Sequence, residues 1–222
     1  MCGRYALTLP DTAMAQLFEA SITASLMPVP RYNICPTQNV TTVVSGEGGR
    51  QLLPMRWGFM PHWYKSHRDG PLLINARAET IAEKPAFRAA CRQRRCLIPA
   101  SGYYEWSKDE AGNRLPWYIG PRAEEFLAFA GIWQDWRHPE GGVISTCAIV
   151  TVAANETLAA VHHRMPVTIE PSQFGLWLGE NGKGAARLMQ QGSEDALEFH
   201  RVDTRVNSNR VDDADLLARL QE

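Results

Sequence analysis

A chain of 222 residues, 45% hydrophobic and 21% charged with a net charge of −1, has an ordinary globular composition and enough length to bury a substantial core. That balance excludes a disordered or fibrous chain, and no apolar run approaches the length of a membrane-spanning helix. The near-neutral total hides an asymmetry: residues 1–106 carry a net +5 and residues 107–222 a net −6, and 19 of the 23 basic residues are arginine. Arginine suits bidentate phosphate contact and stacking on bases. It also accumulates in proteins of GC-rich genomes, so charge alone does not define a nucleic-acid binder.

The opening MCGRYALTLP lacks the basic and apolar regions of a secretory signal. The expected location is cytoplasmic, and associated with the nucleoid in a bacterium. Residues 3–9 read as a short strand, and Asp11 as the cap of a helix through Ala20 in which Met14, Leu17 and Phe18 share a face. A proline-rich loop, MPVPRYNICP, follows. NVTTVVS and RQLLPMRWGFM flank Gly46–Gly49 as a hairpin, and PHWYKSHRDGP reads as an irregular loop.

LLINARAET leads toward a short helix over Lys84–Arg92. CLIPASGYYEW, PWYIG, FLAFAGIWQDW and VISTCAIVTVAA read as successive strands, each one element. Asn155 to Val161 resembles a capped helical turn, and helices are expected over Pro171–Leu178, Lys183–Gln191 and Asp212–Leu220. With no repeat, linker or low-complexity tract, the expected fold is a single α+β domain over residues 1–222, built around a twisted, mainly antiparallel, barrel-like sheet with peripheral helices.

Five scattered cysteines without a C-x-x-C pair suggest neither a disulfide framework nor a zinc site, and no metal or cofactor is expected. Phosphate-loop, zinc-helix and nucleophile-elbow signatures are missing. Cys2 is chemically distinctive because removal of Met1 would give one residue a primary amine and a thiol on adjacent carbons. The amine, with an ordinary pKa of roughly 7.7–8.0, can form a Schiff base with an aldehyde, and the thiol can close a five-membered thiazolidine.

Glu105, between Tyr104 and Trp106, is placed to have its pKa raised by apolar neighbours, and His162 is suited to proton transfer near neutrality, with His163 its rival. Asn75 can hydrogen-bond a sugar or adduct. Arg4, Arg77 and Arg164 are candidates to hold phosphates, and Trp63, Tyr64 and Trp106 to stack on bases. Taken singly, each of these residues also fits an ordinary structural role, and Trp57, Trp117, Trp133 and Trp177 fit the core.

Four segments in order, CGR at the start, INARAE, GYYEW and HHRMP, together resemble the SOS response-associated peptidase family, whose members are also called abasic site processing proteins. RYNICPTQ, RWGFMPHW and VTVAAN extend the resemblance from Cys2 to about Pro166; downstream only RVNS near Val206 fits, less specifically. The resemblance implies a DNA–protein crosslinking enzyme with lyase-like Schiff-base chemistry that shields abasic sites in single-stranded DNA during repair, acting as a monomer. It implies Cys2 as nucleophile, Asn75 positioning the sugar, Glu105 as acid and base, His162 assisting, and Arg4, Arg77 and Arg164 holding DNA. His163 stands where some relatives carry an acidic residue. Two other readings stay open: an N-terminal-nucleophile thiol peptidase or autoprotease, and a non-catalytic reader of damaged single strands.

Overall fold

The computed structural model describes residues 2–123 and 126–221, arranged around one long strand, β11 (Val143–Ala153). Its β-branched run is buried continuously from Thr146 to Val152, the pattern of a strand covered on both faces. Each edge of β11 serves two partners. On one edge β10 (Leu127–Arg137) pairs with residues 143–149, and β12 (Arg164–Pro166) takes over at 151–153. On the other edge the end of β5 (Gly49–Trp57) runs parallel to Thr146 and Cys147, and β6 (Asn75–Arg77) continues along 149–151.

The β5–β11 pairing closes a five-stranded barrel. From β5 the ring passes through β4 (Asn39–Gly46), β7 (Arg95–Ala100) and β10 back to β11, while β2 (Ala20–Ile22) lies along the start of β5. A second, antiparallel sheet has the order β13 (Leu197–Arg201), β9 (Arg114–Pro121), β8 (Gly102–Lys108), β1 (Arg4–Leu7) and β3 (Arg31–Ile34). Buried rings join the two sheets: Tyr5 meets Trp57 edge-on at 5.3 Å and Phe129 at 6.0 Å, and Tyr103 meets Phe129 at 5.9 Å. The helices are short: α1 (Asp11–Leu17), α2 (Arg88–Gln93), α3 (Glu156–Ala159) and α4 (Phe174–Leu178).

The α+β class, the barrel and the hairpin over Gly46–Gly49 agree with the sequence reading. So does the turn capped by Asn155, whose side chain accepts from the Leu158 amide. Residues 96–106 are two strands rather than one: the chain turns at Ser101, so that β7 enters the barrel and β8 the second sheet. Gly102 permits the switch, since a Cβ there would stand 2.4 Å from the Tyr118 hydroxyl and 2.7 Å from the Ile119 carbonyl oxygen.

The supposed proline-rich loop contains β3, because Pro28, Pro30 and Pro36 flank Arg31–Ile34 without interrupting it. Helix α1 stops at Leu17 and Ala20 already belongs to β2; Pro10, not Asp11, occupies the N-cap. The helix expected over Lys84–Arg92 begins only at Arg88. Residues 171–178 do coil, as a 3₁₀ turn leading into α4, but the helices expected over Lys183–Gln191 and Asp212–Leu220 reduce to 3₁₀ turns at Ala185–Leu188 and Ala214–Leu217. Strands β12 and β13 have no counterpart in the sequence reading.

Gly131 of β10 faces the packed barrel, where an added Cβ would lie 2.7 Å from Cys96 Sγ and 3.0 Å from Ile98 Cδ1. Gly131→Ala should therefore destabilise the fold by about 1–3 kcal/mol through overpacking. The expected result is a lower urea midpoint with an unchanged denaturant slope.

Candidate active site

The shared edge of β11 delivers β6, and with it Asn75, to the beginning of β1. Asn75 Nδ2 donates to the Cys2 carbonyl oxygen at 2.9 Å, and among the described residues its buried Oδ1 accepts from none. Cys2 is fully buried, and Met1 lies outside the described residues. Burial pushes the Cys2 thiol well above its usual pKa, and the neighbouring Glu105 carboxylate pushes it further. Glu105, near the middle of β8, is only 3% exposed, and burial raises its carboxyl above the usual range.

His162 follows α3, and its Nδ1 lies 3.9 Å from Glu105 Oε1. The same Nδ1 lies 3.0 Å from the Arg164 backbone N–H and 3.2 Å from the Arg164 carbonyl oxygen, so it accepts from the first in one tautomer and donates to the second in the other. Partial burial, above all, lowers the imidazole pKa to about 4. Near neutrality His162 is therefore an uncharged base beside a carboxyl that holds its proton unusually well. The exposed His163 ring leans on it, with centroids 4.3 Å apart.

Glu105 and His162 border a cavity of about 450 Å³ whose wall also includes Gly3, Arg4, Ile74 and Trp106, while Cys2 and Asn75, the chain neighbours of Gly3 and Ile74, are not part of that wall. Its lining also includes Pro36, Ser107, Lys108, Arg114 and Asn207, which sequence reasoning did not single out. Asn207 lies in the RVNS segment, the only signal that could have pointed to it. That segment is held by Asn33, 3% exposed, whose Nδ2 donates to the carbonyls of Ser208 at 2.9 Å and Val211 at 2.7 Å. Asn33 Oδ1 accepts from Arg4 Nη1 at 2.9 Å, and Asp212 accepts from the Tyr32 and Asn33 amides. Asn207 Oδ1 in turn accepts from Trp106 Nε1 at 2.8 Å.

The remaining sequence candidates divide by location. Arg77 is exposed on β6 beside Asn75. Arg4 borders the cavity but also donates to the Val206 and Asn207 carbonyls, tying β1 to the C-terminal segment. Arg164 is buried, forks onto Glu79 at 2.6 and 2.9 Å and donates to the Thr151 carbonyl at 2.7 Å. That partnership pulls the Glu79 pKa down to about 2. A buried guanidinium so engaged braces β12 against β11 and does not face a surface ligand. Trp63 is exposed and Tyr64 half-buried on the loop between β5 and β6, and neither borders the cavity. Trp57 and Trp177 are buried in the core, while Trp117 and Trp133 are half-buried.

A small α+β barrel that sets a buried cysteine at the second position beside an amide, with a buried carboxyl and a neutral imidazole close by, has the composition expected of a covalent-capture or N-terminal-nucleophile protein. Comparison with known proteins narrows the class. The family model described as SOS response associated peptidase (SRAP) matches residues 1–209, and the chain belongs to that family. It is 33% identical to abasic site processing protein YoqW of Bacillus subtilis, covering 98% of this chain and 99% of that one. Against abasic site processing protein YedK of Escherichia coli the identity is 30%, with the same coverage. A crystal structure of a Bacteroides thetaiotaomicron protein shares the fold with a TM-score of 0.88 at 22% identity, over 99% of this chain and 100% of that one.

Two measurements check this geometry. Folding keeps His162 neutral down to about pH 4, whereas a free imidazole titrates near 6.5. Between those values the unfolded chain binds more protons, so this group's contribution to stability falls as pH drops through the window. An NMR titration should give a His162 midpoint near 4, and a midpoint near 6.5 would contradict the buried environment. Asn33→Leu should cost about 1–3 kcal/mol in urea denaturation, because it removes the amide bonds to the Ser208 and Val211 carbonyls and the acceptor of one Arg4 N–H.

Proposed function

We propose that this protein captures abasic sites in single-stranded DNA as a covalent adduct on Cys2, once Met1 has been removed. The observation that carries the reading is a chain of contacts: Asn75 bonds the Cys2 carbonyl, Glu105 lies near enough to Cys2 to raise its thiol, and His162 stands beside Glu105, the last two on the wall of one cavity. The naming of YoqW and YedK as abasic site processing proteins supports it. The freed α-amine adds to the C1′ aldehyde of the ring-opened sugar to give a carbinolamine. Glu105, whose carboxyl burial biases toward the protonated form, protonates the departing hydroxyl, and water leaves with formation of the imine.

The Cys2 sulfur then adds to the imine carbon while its proton passes to the Glu105 carboxylate or to neutral His162, and the imine nitrogen takes up a proton to complete the thiazolidine. One water is lost overall. Asn75 holds the Cys2 backbone and offers its Oδ1 to the sugar hydroxyls. A thiol kept protonated suits this order of events, in which the amine attacks first. A thiol peptidase needs the opposite, a cysteine poised as thiolate, and the raised Cys2 pKa disfavours that reading. In this scheme Arg77 and Arg4 contact the strand near the sugar, Trp106 packs at the cavity wall, and Trp63 and Tyr64 offer a stacking surface further out.

Intact-mass analysis before and after incubation with an abasic single-stranded oligonucleotide tests the proposal. The expected product lacks Met1 and weighs the sum of the reactants less one water, and resistance to borohydride identifies it as thiazolidine rather than imine. Glu105→Gln should slow adduct formation by about 10²–10⁴-fold. Cys2→Ala should form no denaturant-stable adduct; stable crosslinking by that variant at the wild-type level would sink the mechanism.

A further inference from the structure

The hairpin of β8 and β9 carries an arrangement that the chemistry above does not use. Lys108 and Arg114 are directly opposite each other in the antiparallel register, so their side chains leave the same face of the sheet. Both border the cavity and both are exposed. Like charges at facing positions repel, and among the described residues no carboxylate lies within ion-pair distance of either. The nearest acid in sequence, Asp109, serves the hairpin turn by accepting from the Asn113 amide at 2.7 Å and from its Nδ2 at 2.9 Å.

Arg114 is nevertheless not loose. Its guanidinium carbon stands 4.8 Å from the centroid of the Trp106 ring, and that indole is fixed from its edge by the bond from Nε1 to Asn207. Stacking occupies the flat face of a guanidinium and leaves its in-plane N–H donors for an anion. Two facing cations with no carboxylate in ion-pair distance among the described residues, one of them held by a pinned indole on the cavity wall, make a site shaped for a bridging oxyanion.

We propose that Lys108 and Arg114 clamp one phosphodiester of the bound strand next to the captured sugar, with Trp106 and Asn207 as positioning residues for Arg114. The inference rests on reading the cavity as the seat of an abasic sugar, and it adds the site at which the strand entering that cavity is gripped.

The test uses the full chain carrying Cys2→Ala, so that binding is read without capture, and a single-stranded oligonucleotide containing a tetrahydrofuran abasic analogue. Adding Lys108→Gln and Arg114→Gln should weaken binding about tenfold or more and flatten the dependence of log Kd on log salt by about 0.7, the loss of one phosphate contact on a single strand. Replacing the flanking phosphates one at a time by neutral methylphosphonates should expose one position at which the parent loses affinity and the double variant does not. Arg114→Lys should retain the salt slope but lose affinity, because a lysine cannot stack and fork together. Equal slopes and equal methylphosphonate profiles in parent and double variant would overturn the clamp while leaving the sugar-capture reading intact. Failure of the wild-type protein either to bind or to crosslink abasic strands would overturn both.

Discussion

Strand β11 has more hydrogen-bonding edge than any single neighbour can use, and the site depends on that surplus. On one edge β10 stops short and β12 takes the remaining positions; on the other, β5 closes the barrel with two residues and β6 occupies the next three. Backbone groups inside a protein must find partners, so the unfilled edges recruit whatever short segments can reach them. Those segments are the ones that bring Asn75 to Cys2 and set His162 just before β12. The geometry of the candidate site is thus a consequence of completing a barrel strand whose own residues stand outside the cavity wall.

Burial then sets the proton inventory. The same exclusion of water raises the Cys2 thiol and the Glu105 carboxyl and lowers the His162 imidazole, so each ionisable group is biased toward its neutral form. Uncharged groups exchange protons without first shedding a hydration shell, which suits a sequence of addition, dehydration and ring closure. Arg164 contributes indirectly. Its fork to Glu79 holds β12 in place, and its backbone N–H and carbonyl both contact His162 Nδ1 and so hold the ring in position.

Much of this was legible in the sequence, for identifiable reasons. Continuous apolar runs and a glycine-rich turn marked the barrel strands and the β4–β5 hairpin, and the ordered motifs pointed to Cys2, Asn75, Glu105 and His162 as a group. Local patterns misled wherever tertiary contacts decide the outcome. Prolines around Arg31–Ile34 concealed a strand that they merely flank, and no local signal announced that residues 96–106 change sheets at Ser101. The late segments carry helical periodicity, but each forms only a single turn, one beside α4 and the other between β3 and β13. Whether an arginine faces a ligand or a carbonyl is likewise a property of the fold: Arg164 looked like a surface contact until its buried partners appeared, whereas Lys108 and Arg114 acquire meaning only through cross-strand register.

The link from Arg4 to Val206 joins positions 202 residues apart. One wall of the cavity is therefore supplied by the beginning of the chain and another by its last quarter, with Asn33 as the clasp. A ribosome releases the reactive terminus first and the segment that walls it in last. Throughout synthesis Cys2 lacks both the Arg4–Val206 link beside it and the Asn207 wall, so the cavity is completed only with the last quarter of the chain. Contact order here ties completion of the cavity to completion of the chain.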